Sequence, residues 1–179
     1  SLPVLISTMC IILYMRIDQI MISKILGQYE LGLYSVSVRL IEIFHFIPKI
    51  IMISYLPILL KNQKYNLRLV MLNSYISKLS LILIFLILFS SDFFTRYLFG
   101  YEYVESIYTT NVLSFSLIFV YFGVVNEHWY IAKKLQKYYA IYVFLGALLN
   151  IILNMYFIPI YGILGASYAT VITYIFLIF

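Results

Sequence analysis

Four side chains able to carry charge stand at helical spacing in the first third of the sequence: Arg39, Glu42, His45 and Lys49, at offsets 0, 3, 6 and 10. At about 100° per residue they fall within roughly a 120° arc of one helix, which makes them one polar stripe. Arg16 and Asp18 stand upstream, and Lys78 and Glu127 downstream. An arginine presents a fork of donors matched to phosphate oxygens, whereas lysine is a point charge. Setting Arg16, Arg39, Lys49 and Lys78 against Asp18 and Glu42 leaves an excess of positive charge before His45 is protonated. These residues therefore predict a cation-rich wall for an anionic ligand, formed by Arg16, Arg39, His45, Lys49 and Lys78, and a diphosphate group suits it. A plainer reading pairs Asp18 with Arg39 and Arg16 with Glu42 as ties between helices. Asp18, Glu42 and Glu127 are in either case the candidates for ion pairing or coupling. Lys78 has its own plain reading, with its ammonium drawn to the membrane surface, and Glu127 with His128 reads first as a solvated helix end, with a gate or proton-coupling role as the alternative.

The surroundings of these charges are apolar. The 179 residues are 64% hydrophobic and 11% charged, with 19 Tyr, 14 Phe and a mean hydropathy of +1.01. That composition defines an all-α integral membrane protein, in which charges are costly and face an interior or a cavity. The net charge of +5 is scattered among apolar runs without a nucleic-acid motif, so no nucleic-acid partner is expected. With one cysteine, Cys10, neither an internal disulfide nor a thiolate metal cluster is possible. There is no Walker A loop, HExxH or GxSxG pattern. The expectation is a non-enzyme without cofactor or metal.

A bilayer core takes about 20 apolar residues per helix. Breaking the sequence at its polar and Pro/Gly clusters predicts a six-transmembrane-helix bundle, with helices over about 2–22, 31–60, 67–89, 107–131, 139–158 and 163–179 and the whole of 1–179 as one unit. Pro48 and Pro57 predict kinks in the second helix, each freeing a carbonyl one turn earlier, at Phe44 and Ile53; water or a ligand is expected at Phe44. Ser90–Ser106 reads as an aromatic loop at the membrane surface. Asn150 and Asn154 share a helix face and read as interhelical glue, and Gly165 and Ala166 as a close contact. Lys61, Lys64, Arg68, Lys133, Lys134 and Lys137 lie on one side of this topology and only Lys24 and Arg96 on the other. The positive-inside rule then places both termini in the cytoplasm. Entering an apolar run directly after Ser1, the sequence reads as part of a longer chain.

Two separated patterns add a resemblance. Arg16-Ile17-Asp18-Gln19-Ile20-Met21-Ile22, then Glu30-Leu31-Gly32-Leu33-Tyr34-Ser35 with Arg39, Glu42 and Pro48, resembles the opening of the second half of Wzx-like O-antigen and capsule flippases. These are polysaccharide transporters of the multidrug/oligosaccharidyl-lipid/polysaccharide exporter superfamily. Asn150-Ile151-Ile152-Leu153-Asn154, Ile158-Pro159-Ile160-Tyr161-Gly162-Ile163-Leu164-Gly165-Ala166 and Ala169-Thr170 are similar to that family's last two helices. The resemblance implies a C-terminal six-helix half, completed by an N-terminal six-helix half around a central cavity. It implies a cytoplasmic-membrane protein that flips undecaprenyl-diphosphate-linked oligosaccharide for surface-polysaccharide biosynthesis. Its partners would be that lipid-linked oligosaccharide, membrane lipids, and polymerase and chain-length regulator proteins. The competing expectations are half of a multidrug exporter, which should present net negative charge to its ligand, and a membrane polymerase or ligase, which should carry a larger outer loop.

Overall fold

A computed structural model describes the backbone of residues 16–60 and 65–178, with side chains described for 16–55 and 69–178. The expected first helix therefore lies outside the described residues up to position 15, and so do Cys10, Lys61, Lys64, and the side chains of Pro57 and Arg68. Every regular element among the described residues is helical. Helix α1 covers residues 16–25, α2 is Gln28–Leu60, α3 is Tyr65–Leu98, α4 is Ser106–Ser114, α5 is Ser116–Ala132 and α6 is Gln136–Phe176. Leu69–Leu98, Ser106–Ala132 and Gln136–Phe176 are long and apolar enough to cross a membrane.

The long elements follow from their breakers. Helix α3 runs on to Leu98, so the expected loop beginning at Ser90 is replaced by helix. Between Tyr65 and Leu98 there is neither Gly nor Pro, and the polar residues near its end are used locally. The Ser90 hydroxyl donates to the Leu86 carbonyl at 2.6 Å, and Asp92 and Arg96 pair at 2.8 Å one turn apart. The helix stops where Gly100 takes φ 97°, a conformation that costs other residues a Cβ clash. Its N–H and that of Phe99 then close onto the Thr95 carbonyl at 3.2 and 3.0 Å. A single 3-10 turn, Tyr101–Tyr103, leads into α4.

The expected fourth helix is interrupted at Phe115, between α4 and α5, where the backbone keeps helical angles. Serine hydroxyls compete there with the helix ladder: Ser114 donates to the Asn111 carbonyl at 2.7 Å and Ser116 to the Leu113 carbonyl at 2.6 Å. The fifth and sixth expected helices are the two arms of α6. Helix continues through Pro159 and turns sharply at Gly162, with φ 61° and ψ −141°. The arms run back along each other. The Tyr142 hydroxyl donates to the Phe176 carbonyl at 2.8 Å and Asn150 Nδ2 to Thr173 Oγ1 at 3.2 Å, while Asn154 Nδ2 donates to Asn150 Oδ1 at 2.9 Å. Asn150 thus serves as the expected glue between the arms, while Asn154 supports it from one turn along the same arm. At Gly165 an added Cβ would lie 2.2 Å from the Phe157 carbonyl oxygen, and Ala166 is wholly buried, so this contact requires small residues.

Helix α2 lies against α4 and α5, α3 against the same two, and α6 closes on them from another side. The core between them is apolar, built on Leu33, Met52, Ile76, Leu117, Val125 and Ile158.

Candidate functional site

Helix α2 carries two faces with different contents. Tyr34, Val38, Ile41 and His45, spaced by 4, 3 and 4 residues, line a cavity together with Glu42. Asp18 of α1, Leu113 and Ser116 at the α4/α5 junction, and Thr170 and Tyr174 of α6 complete it. About 40 Å³ is open there to the centres of water-sized molecules, room for a few waters. The other face, Arg39, Ile43, Phe46, Ile50 and Ile53, is exposed; the four apolar members keep 61–67% of their surface accessible.

The sequence-derived stripe is therefore divided. Glu42 and His45 line the cavity, whereas Arg39 and Lys49 are exposed. His45 Nε2 is buried without a hydrogen-bond partner among the described residues. Arg16 and Glu42 do pair as expected, at 3.6 Å, with side chains 53% and 26% exposed. A pair so open to its surroundings contributes little to stability in water.

The expected Asp18–Arg39 pair is not formed. Asp18 is buried, and its carboxylate accepts the Tyr34 hydroxyl on one oxygen and the Gln19 backbone N–H, at 2.7 Å, on the other. The reason is helical phase. Tyr34 and Arg39 are five residues apart, about 140° around the helix, so the face that turns Tyr34 onto Asp18 turns Arg39 away. The Phe44 carbonyl freed by Pro48 likewise meets a side chain instead of water or ligand: the wholly buried Tyr121 of α5 donates to it at 2.8 Å.

Lys78 is exposed on α3 with its ammonium 5.9 Å from the Tyr75 ring centre, apart from the cavity. Glu127 is half-buried on α5, within electrostatic reach of Lys49 and His128. Of the five residues expected in one cation-rich wall, the structure places His45 in the cavity, Arg16 at the ion pair with Glu42, and Arg39, Lys49 and Lys78 on exposed surfaces. Sequence reasoning missed Tyr34, Tyr121, Thr170 and Tyr174. A signal existed for Tyr34: it lies seven residues after Gly27 and Asp18 nine before, so a hairpin turning there sets them nearly opposite. For Tyr121, among 19 tyrosines, no local pattern marks the one that meets Phe44.

Described residues that are helical throughout their regular elements, with three helices of membrane length and apolar composition among them, define a membrane protein. Its family follows from comparison. The family model described as "Polysaccharide biosynthesis protein" matches residues 1–108, and the chain belongs to that family. No curated protein and no solved structure matches the chain.

Proposed function

We propose that this chain is the C-terminal six-helix half of a flippase for undecaprenyl-diphosphate-linked oligosaccharide in the cytoplasmic membrane, with both of its ends cytoplasmic. The observation that carries this reading is the exposed face of α2, where Arg39 stands without an ion-pair partner among the described residues beside Ile43, Phe46 and Ile50. Lys49 is exposed one residue after Pro48. Cations facing lipid chains alone are expensive. A diphosphate on a polyprenyl chain offers such a face both what its charges and what its apolar residues require, and an N-terminal six-helix half would enclose it there. The family match covers α1, α2, α3 and the first residues of α4, and these cations lie within it.

Membrane lipids, the N-terminal half, and polymerase and chain-length regulator proteins are the partners of this reading. Transfer outward of a group with about two negative charges is favoured by about 5 kcal/mol per 100 mV when the inside is negative, so no proton site is needed in this half. A second reading, an exporter of organic cations, draws on Asp18 and Glu42 in the cavity. With about 40 Å³ open there, the space suits waters rather than a drug-sized ligand.

The test is capture of polyprenyl-diphosphate-oligosaccharide by the purified chain in lipid nanodiscs. Arg39→Gln with Lys49→Gln should weaken capture at least tenfold without lowering the thermal midpoint. Equal capture by parent and double variant, or preference for lipophilic cations over the diphosphate lipid, sinks the flippase reading.

A further inference from the structure

We propose that Tyr121 is a positioning residue: its hydroxyl sets the bend of α2 at Pro48 and so fixes how Arg39 and Lys49, on either side of that proline, stand relative to each other. This deepens the anionic-lipid reading of those cations and rests on it.

Pro48 has no N–H to give the Phe44 carbonyl, and its ring pushes against that carbonyl, so α2 carries an unpaired acceptor at a point of intrinsic bending. In an apolar bundle such an acceptor must find a partner. The partner is Tyr121 of α5, held fully buried with Leu117 and Val125 on the same helix, and its oxygen lies 2.8 Å from the Phe44 oxygen. Hydrogen bonding falls away steeply with distance and angle. The bond is therefore made at one inclination of α2 and lost at others.

Helix α5 also places a carboxylate in the neighbourhood of the residue just past the proline. Glu127, six residues after Tyr121, lies within electrostatic reach of Lys49. The bond that ties α5 to α2 here is the one from Tyr121, on the carbonyl four residues before Pro48. A displacement of α5 against α2 is thus delivered at the flexible point. Arg39 lies nine residues before that point and Lys49 one after it, so the bend, more than any rotamer, governs the shape of the cationic face.

The pairing of proline with hydroxyl makes the proposal separable from ordinary packing. Pro48→Ala restores an N–H that can serve the Phe44 carbonyl, which makes the Tyr121 hydroxyl redundant. Nitroxide pairs at Tyr55 and Ile131, both exposed, in a Cys10→Ser background of the full chain in nanodiscs, report α2 beyond the proline relative to α5. Tyr121→Phe should broaden the distance distribution and lower the thermal midpoint. Adding Pro48→Ala should return a single narrow distance, displaced from the parent value, and should erase at least half of the midpoint loss.

Capture of the diphosphate lipid should fall several-fold in both variants. An unchanged distance distribution in Tyr121→Phe, or the same midpoint loss with Pro48 and with Ala at 48, overturns the proposal; so does an altered distance with undiminished capture. If the parent itself fails to prefer the diphosphate lipid to a phosphate-free one, it is the anionic-lipid reading that fails, and the distances still decide whether Tyr121 sets the bend. Should Pro48→Ala fail to fold, the distances in Tyr121→Phe decide alone.

Discussion

At the scale of residues, the buried carboxylate and the exposed guanidinium have separate partners and should behave independently. Asp18 is satisfied by Tyr34 and by a backbone N–H, while Arg39 faces outward. In a double-mutant cycle on thermal or denaturant stability, Asp18→Asn and Arg39→Gln should add to within about 0.5 kcal/mol. Asp18→Asn and Tyr34→Phe should not add, because Tyr34→Phe alone strips a buried carboxylate of a donor at a cost of about 1–3 kcal/mol. Coupling above that additive margin between Asp18 and Arg39 would restore the ion pair that the sequence suggested. The Arg16–Glu42 bridge is half open to its surroundings, and removing Arg16 should shift stability by less than about 1 kcal/mol.

At the scale of elements, glycine positions give a paired test of the α6 turn. Gly165→Ala drives its Cβ into the Phe157 carbonyl, a backbone group that cannot move alone, whereas Gly123 in α5 has nothing within 4 Å of an added Cβ. The first substitution should lower the thermal midpoint by several degrees and the second should hold or raise it, since Ala is favoured over Gly in helix by about 1 kcal/mol. Matching losses at both sites would mean that the arms of α6 are not packed as described. The extension of α3 is tested in the same manner. Phe93→Pro, at an exposed position, should cost about 3 kcal/mol as an interior helix position does, where a surface loop would accept it with little loss of folded protein.

At the scale of the whole molecule, the expected orientation follows from loop charge. A reporter fused after Tyr101 should read periplasmic and one after Gln136 cytoplasmic, and the reverse pattern would overturn the cytoplasmic placement of both ends. The exposed face of α2 and the long exposed row on α3, including Tyr75, Phe85, Phe89 and Phe93, are different kinds of surface. The α3 row is apolar apart from Lys78 and, near its end, the mutually paired Asp92 and Arg96, and it suits lipid, whereas Arg39 and Lys49 on α2 suit a charged occupant. Paramagnetic lipid probes should quench labels on Phe85 strongly and labels on Ile43 weakly once an N-terminal half is supplied. Equal quenching at both would leave the α2 face to lipid.

The sequence by itself determined the class of the molecule: apolar runs of membrane length require helices, because backbone groups in lipid must be satisfied within the segment. Local chemistry likewise made the Gly27 and Gly162 turns, the Asn150 tie between the arms and the Arg16–Glu42 pair legible, since each depends on residues close in sequence or on a hairpin of known centre. The end of α3 was misread because Ser90, Ser91 and Asp92 resemble a loop in composition, yet in the fold Ser90 and Asp92 bond within their own helix. What only the tertiary structure decided is which face of α2 turns inward. Residues 34, 38, 41 and 45 face the cavity while Arg39 looks out, and a charge stripe spanning a third of a helix straddles that boundary without marking it. The choice of Tyr121 for the Phe44 carbonyl was equally out of reach, because it joins residues 77 apart in sequence and is fixed by how α5 crosses α2, a packing outcome that no local spacing encodes.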